Sequence, residues 1–281
     1  MYDVIVVGAG IMGATIAEAL RVVQGRDVII IDREDPFAGS TCSGGLIKPS
    51  KFTGLGDDQM DPVLDLLGAL WGGLKEQTFT IRPSGGLFKA NIWRLNMRKV
   101  FDLPYVYGKV TQVLKDEPAV ILNDDNIMRC EMLVIAAGMG CAELLPDVFP
   151  PGVLTAKQGA SFLFRGSVKG DPFVKAWAPY KQITVHDFDD ETIWASDGSA
   201  LKPDNWTDDR TESCIQRCME AMGTDERPAH IAVGHRPFHK SKAKPCYLEE
   251  VADDVWVATG AGKFGSISAG WAANQLLGVY T

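Results

Sequence analysis

A chain of 281 residues that is 46% hydrophobic and 23% charged can bury the core of one large or two modest domains, which excludes a disordered or low-complexity protein. The formal charge of −8 and pI near 5.1 argue against a broadly basic nucleic-acid-binding surface. No apolar run approaches the ~20 residues of a membrane span, so a cytoplasmic protein with no membrane partner is expected. Six cysteines without a C-x-x-C pair predict neither a structural disulfide nor a metal site.

The first predicted elements form one unit. Val4 to Val7 reads as a buried parallel strand ending at Gly8, and Gly10 and Gly13 complete the spacing G-x-G-x-x-G. The first glycine allows a tight turn, the second lets backbone approach a pyrophosphate, and the third packs helix on strand. A helix from Ile11 to Val23 then presents its N-terminal amides to the phosphates. A second strand, Val28 to Ile31, ends in Asp32, placed to accept hydrogen bonds from an adenosine ribose. An adenine dinucleotide is expected here.

Residues 34–49 follow, with glycines at 39, 44 and 45 around Ser40, Thr41 and Ser43, a segment of close-packed backbone and hydroxyl donors. The G-x-G-x-x-G unit, an acid followed by Arg33, and a Gly/Ser/Thr-rich segment running into Gly45-Leu46-Ile47-Lys48-Pro49 resemble the FAD-dependent oxidases of the D-amino-acid oxidase and glycine oxidase (DAO) superfamily. The resemblance implies an α/β fold: a Rossmann-like FAD-binding domain of the DAO type with a smaller, shortened antiparallel-sheet substrate domain. It implies non-covalent FAD. Gly8, Gly10, Ile11, Met12 and Gly13 would form the first part of its cradle, Asp32 and Arg33 the second, and Ser40, Thr41, Ser43, Gly44, Gly45 and Leu46 the third.

Residues 61–77 place apolar side chains at helical spacing and predict an amphipathic helix. Residues 78–81 and 86–89 read as strands, and a short helix is predicted around Ile92 to Val100, where the family carries a longer stretch. That departure implies a shortened cover over the flavin. Tyr105 to Val113, Ala119 to Leu122 and Glu131 to Ile135 read as strands. By resemblance Val110 meets adenine, and Ala137 and Gly138 close the first half of the FAD domain.

Beyond the prolines at 146, 150 and 151, strands are predicted at 160–164, 182–187 and 192–196, with Trp177, Tyr180, His186 and Trp194 able to face a substrate or simply to pack. Asp208 to Met222 reads as a surface helix in which Cys214 and Cys218 pack. Gly234-His235-Arg236-Pro237 matches the family's Gly-x-Arg-Pro motif. The run His235 to Lys244 is the densest positive stretch in the chain, either a solvated loop or an anion site beside the flavin. A last strand leads into Gly260-Ala-Gly262-Lys263-Phe264-Gly265-Ser266 and a helix over 267–277, a turn that in the family wraps the isoalloxazine ring. The segments expected in the FAD domain are 1–77, 105–150 and 231–281, and those in the substrate domain are 78–104 and 151–230.

The resemblance assigns the catalytic roles. Arg236 would clamp a substrate carboxylate, a task suited to a guanidinium fork. Lys263 would assist it or stabilise reduced flavin. Cys246 resembles the cysteine that tethers flavin in sarcosine-oxidase relatives, but its spacing to the last glycine turn differs. Three functions remain open. The first is FAD-dependent C–N oxidation of a glycine-like group, carried on a large substrate such as a modified nucleic acid base; in its economy the chain resembles the flavin lyases of bacteriophage thymidine hypermodification. The second is oxidation of a free small amino or imino acid. The third is a non-catalytic or partner-dependent flavoprotein subunit. Spacing carries no information on the oligomeric state.

Overall fold

The computed structural model describes residues 1–47, 55–82, 88–178, 181–241, 245–262 and 264–279. Its centre is β1 (Tyr2–Val7), in which Val4, Ile5 and Val6 are fully buried. This strand pairs in parallel with β2 (Val28–Asp32) on one side and β9 (Ile127–Ile135) on the other. Alternation sends its side chains two ways. Val4 and Val6 pack against α1 (Ile11–Gln24), α2 (Asp57–Trp71) and α6 (Gly265–Val279), whereas Ile5 and Val7 face a second cluster with Ile31, Leu133 and Phe149.

The remaining strands of this sheet come from distant segments. On the far side of β9 lie β16 (Val255–Thr259), parallel to it, and β15 (Tyr247–Ala252), antiparallel to β16. Beyond β2 lies β6 (Val106–Tyr107), and β7 (Val110–Leu114) with β8 (Ala119–Leu122) attaches through β9.

A second eight-stranded sheet runs in the order β14-β10-β13-β12-β11-β4-β5-β3. Its members are β3 (Leu46–Ile47), β4 (Lys75–Arg82), β5 (Phe88–Arg94), β10 (Leu154–Arg165), β11 (Phe173–Ala178), β12 (Lys181–Asp187), β13 (Thr192–Ser196) and β14 (His230–His239). All its neighbours are antiparallel except β11 and β4. Its back is covered by α5 (Asp208–Met222), whose Cys214, Ile215, Cys218 and Met219 pack on Phe162, Phe164, Ile183, Val185 and Ala195. Helix α5 has the predicted bounds because both ends are capped: Thr207 Oγ1 accepts from Arg210 N–H, and Gly223 takes a left-handed φ of 66°.

Several expectations need correcting. The helix predicted over 61–77 stops at Trp71, where Gly72 and Gly73 have φ of 78° and 93°; residues 75–77 belong to β4. The helix predicted around 92–100 shrinks to α3 (Met97–Phe101), because Ile92 is drawn into β5 and buried with Phe79 and Val174. Leu46–Ile47 and His230–His239 pair in the second sheet. No described helix is long and apolar enough to cross a membrane.

Candidate functional site

A cleft between the two sheets collects the glycine turns of the chain. Its first wall starts at the end of β1, where Gly8, with φ of 108°, sits so close to the Ala136 carbonyl that a Cβ would lie 2.6 Å from it. Only glycine supports that conformation and approach together. Gly10 lines the cleft and caps α1 without a side-chain hydrogen bond. The Ile11 N–H donates to Ser40 Oγ at 2.9 Å, which brings the 39–42 segment over the helix end.

Asp32 stands at the end of β2. Its two oxygens accept from Ala9 N–H (2.6 Å) and Glu34 N–H (2.5 Å), so the carboxylate ties the first turn to the second strand. Each oxygen keeps a further lone pair for ribose hydroxyls. Arg33 beside it donates to Glu143 at 2.8 Å and to Asp35 at 2.9 Å.

At the C-terminal end of the chain, Gly260 and Gly262 have φ of 78° and 57° and lead into α6. A Cβ on Gly265 would lie 3.5 Å from Ile11 Cγ2, so the N-termini of α1 and α6 meet at one end of the cleft. Thr259 Oγ1 donates to Gly138 O at 2.9 Å and joins the turn after β16 to the turn after β9.

The second sheet supplies the other wall. Gln182 and Thr184 of β12 and Trp194 and Ser196 of β13 line the cleft, while the alternate residues Ile183, Val185 and Ala195 point back to α5. Arg236 of β14 lies on the same cleft. Its guanidinium makes no hydrogen bond or ion pair with the described residues. Burial lowers its pKa, with Cys42 and Asp197 acting in the opposite sense, and a guanidinium keeps its proton throughout. Burial likewise pushes the neighbouring Cys42 thiol up.

The comparisons with known proteins agree with this arrangement. Residues 3–103 match the family of FAD dependent oxidoreductases, DAO. Glycine oxidase from Bacillus cereus superposes with a TM-score of 0.73 at 15% identity, over 99% of this chain and 96% of that one. Iminodiacetate oxidase from Chelativorans sp. gives 0.71 at 15% identity, over 99% and 95%. For L-proline dehydrogenase from P. horikoshii the values are 0.70 and 12%, over 100% and 93%. The first third of the chain thus carries the signature of DAO-type FAD-dependent oxidoreductases, and the whole chain has the fold of these oxidases. No curated protein matches its sequence.

The residues of the cleft fit FAD. Backbone without side chains lies where a Cβ would fill the cradle, two helix N-termini converge for phosphate or ring oxygens, and an acid waits at the end of β2. Of the predicted cofactor residues, Gly8, Gly10, Ile11, Met12, Asp32 and Arg33 line the cleft, and so do Ser40, Ser43, Gly44 and Leu46. Val110, Ala137, Gly138, Gly260, Gly262, Phe264 and Gly265 line it as well.

Four of the expected residues do not. Gly13 sits behind the first turn, where a Cβ would be 1.9 Å from the Gly8 carbonyl; its role is the helix–strand contact alone. Thr41 turns away and donates to Ala38 O at 2.7 Å. Gly45 packs against the Leu95 carbonyl, and Ser266 is buried in α6. Lys263 lies outside the described residues, as do Lys242, Lys244, Tyr180 and the side chain of Trp177.

Other expectations are resolved by the packing. The basic run is no solvated loop as far as His239, because it is the last half of β14. His235 stacks on Phe37 with centroids 5.2 Å apart, and His239 packs on Tyr247 at 4.6 Å. Among the aromatic candidates, Trp194 lines the cleft and His186 is buried behind it, stacked at 5.0 Å. Cys246 is buried against α6, its Sγ 3.8 Å from Ser268 O, away from the cleft. Sequence reasoning missed Gln182, Thr184 and Phe37 on the cleft; only the polar alternation of β12 carried a signal.

Proposed function

We propose that the oxidoreductase oxidises the C–N bond of a glycine-like amino or imino acid whose carboxylate pairs with Arg236. The guanidinium on the cleft carries this reading: a charge kept largely out of water, with no direct ion pair to a described residue and only the field of Asp197 to offset it, is costly, and a bound carboxylate relieves that cost with a bidentate pair. FAD, when bound, supplies the acceptor for the hydride that leaves the amine-bearing carbon. The chain's own residues orient that carbon. Arg236 fixes the carboxylate, and the β12–β13 face closes the side opposite the glycine turns and limits water.

The neighbours named for glycine, iminodiacetate and proline support an amino or imino acid. A free acid is favoured over a group carried on a nucleic acid, since His235, Arg236 and His239 are held within the packed strand and form no outward phosphate-binding face.

The test is anaerobic bleaching of the flavin by glycine, sarcosine and proline, beside a modified oligonucleotide. Arg236→Ala should keep its FAD and raise KM for the responsive acid about 10- to 100-fold, the loss of one charged hydrogen-bonded contact. An unchanged KM rejects the assignment, and bleaching by the oligonucleotide alone rejects the free-acid reading.

A further inference from the structure

The turn that follows β13 lies directly beneath Arg236. Gln158 and Leu201 exchange backbone hydrogen bonds of 2.7 and 3.0 Å, which pins the turn to β10. The next residue, Gly159, has no side chain to separate the turn from the arginine. A Cβ there would lie 2.9 Å from Arg236 Nη2 and 3.1 Å from the Ser199 carbonyl. Gly198 and Ser196, from the same turn, line the cleft.

This turn is organised from the far side of the sheet. Asp197 is 1% exposed and accepts from Ser199 N–H at 2.9 Å and Ser199 Oγ–H at 2.8 Å. Arg217 of α5 donates to Asp197 Oδ2 from Nε at 3.0 Å and from Nη2 at 2.7 Å. Arg210, about two turns nearer the start of α5, donates to Ser199 Oγ at 2.8 Å. Ser196 Oγ donates to Ala160 O at 2.9 Å and receives Gly198 N–H at 3.3 Å. A buried carboxylate held by two guanidinium bonds and two local donors is a rigid element, and its negative charge favours the charged form of Arg236.

We infer that Asp197, Arg217 and Arg210 are positioning residues for Arg236: the turn they lock supports the guanidinium, so that affinity for the substrate carboxylate is set by a helix that never touches the substrate. This rests on the reading of Arg236 as the carboxylate clamp.

The test uses the FAD-loaded full chain and glycolate, a carboxylate without an amine, whose binding is followed through the flavin absorption spectrum. Arg217→Met should weaken glycolate binding about tenfold and raise KM for the responsive amino acid alike, with kcat and FAD content little changed. Arg217→Lys should recover part of that loss, since one cation still reaches Asp197. Arg210→Met, which removes only a bond to the Ser199 hydroxyl, should give a smaller shift and serves if Arg217→Met does not fold.

Glycolate affinity and KM within twofold of the parent in Arg217→Met or Arg210→Met, alongside a lowered Tm, would make the network merely structural and overturn the inference. If Arg236→Ala itself leaves glycolate affinity unchanged, the clamp falls and the positioning role with it. Weak binding in Arg236→Ala but parental binding in the α5 variants overturns the positioning role alone.

Discussion

The two walls of the cleft are built on different principles. The cofactor wall is mostly backbone: Gly8, Gly10, Gly138, Gly260 and Gly262 bring peptide groups to the surface, and the main side-chain charge is Asp32. The opposite wall is made of side chains, with Arg236, Gln182, Thr184 and Trp194 projecting from three strands. A wall of backbone leaves little room for added atoms at Gly8, Gly260 and Gly262 and presents the same peptide groups whatever its other side chains. A wall of side chains can be rewritten residue by residue while the sheet behind it stays the same.

The sharpest way to break that contrast is at the glycines. Gly13→Val should abolish soluble folded protein, because its Cβ would sit 1.9 Å from a backbone carbonyl that cannot move aside. Circular dichroism and soluble yield read this out, and a folded yellow variant would contradict it. Gly10→Ala should separate fold from cofactor. The nearest atom its Cβ meets is Ser40 Oγ at 3.0 Å, the end of a small side chain. Its apoprotein Tm should therefore stay near the parent while FAD is no longer retained.

On the side-chain wall the comparison can be sharpened with pH. His186 donates Nδ1–H to the Asp187 carbonyl at 2.8 Å, which leaves Nε2 unprotonated and without a partner beneath Gly44, where a Cβ would be 2.6 Å from it. Burial lowers its pKa from 6.5 to about 4. The folded pKa lies below the unfolded one, so the stability this neutral ring confers is complete above pH 6.5 and is lost as pH falls from there to about 4. The loss should total about 3 kcal/mol at roughly 1.4 kcal/mol per pH unit. Urea unfolding across that window should show the slope in the parent and a shallower one in His186→Gln; equal slopes would remove His186 as the cause.

The smallest effect is expected at Cys246. Its thiol is pushed up to about 12 by burial and faces α6 rather than the cleft. Acid precipitation should release all the flavin, and Cys246→Ser should retain parental FAD content. Flavin left on the pellet would place a covalent bond in the enzyme.

The same contrast explains what could be read from the chain. The first cofactor turn is contained within about thirty residues, so G-x-G-x-x-G and Asp32 were legible from spacing alone. Arg236 was legible only through the resemblance of Gly234-His235-Arg236-Pro237 to a family motif. The partners of these residues were not. Phe37 meets His235 because β14 returns to the 37–38 loop from far along the chain, and Ile92 leaves its expected helix because β5 pairs with β4 and packs on Val174 of the distant β11. Leu74 keeps the helical spacing of α2, yet the left-handed backbone at Gly72 and Gly73 ends the helix first. Local periodicity says nothing about which strand a segment will join.

Strand β14 bridges to Ala38 at His235 and to Ala261 at Phe238, and the Pro237 carbonyl accepts from Gly262 N–H at 2.8 Å. The strand that aims Arg236 is thus buttoned, along its edge away from β10, both to the loop over the α1 end and to the turn before α6. An empty cradle leaves both fasteners without their load. Losing the flavin should therefore also slacken the grip on the incoming acid, and the enzyme is expected to assemble in a fixed sequence, coenzyme before substrate.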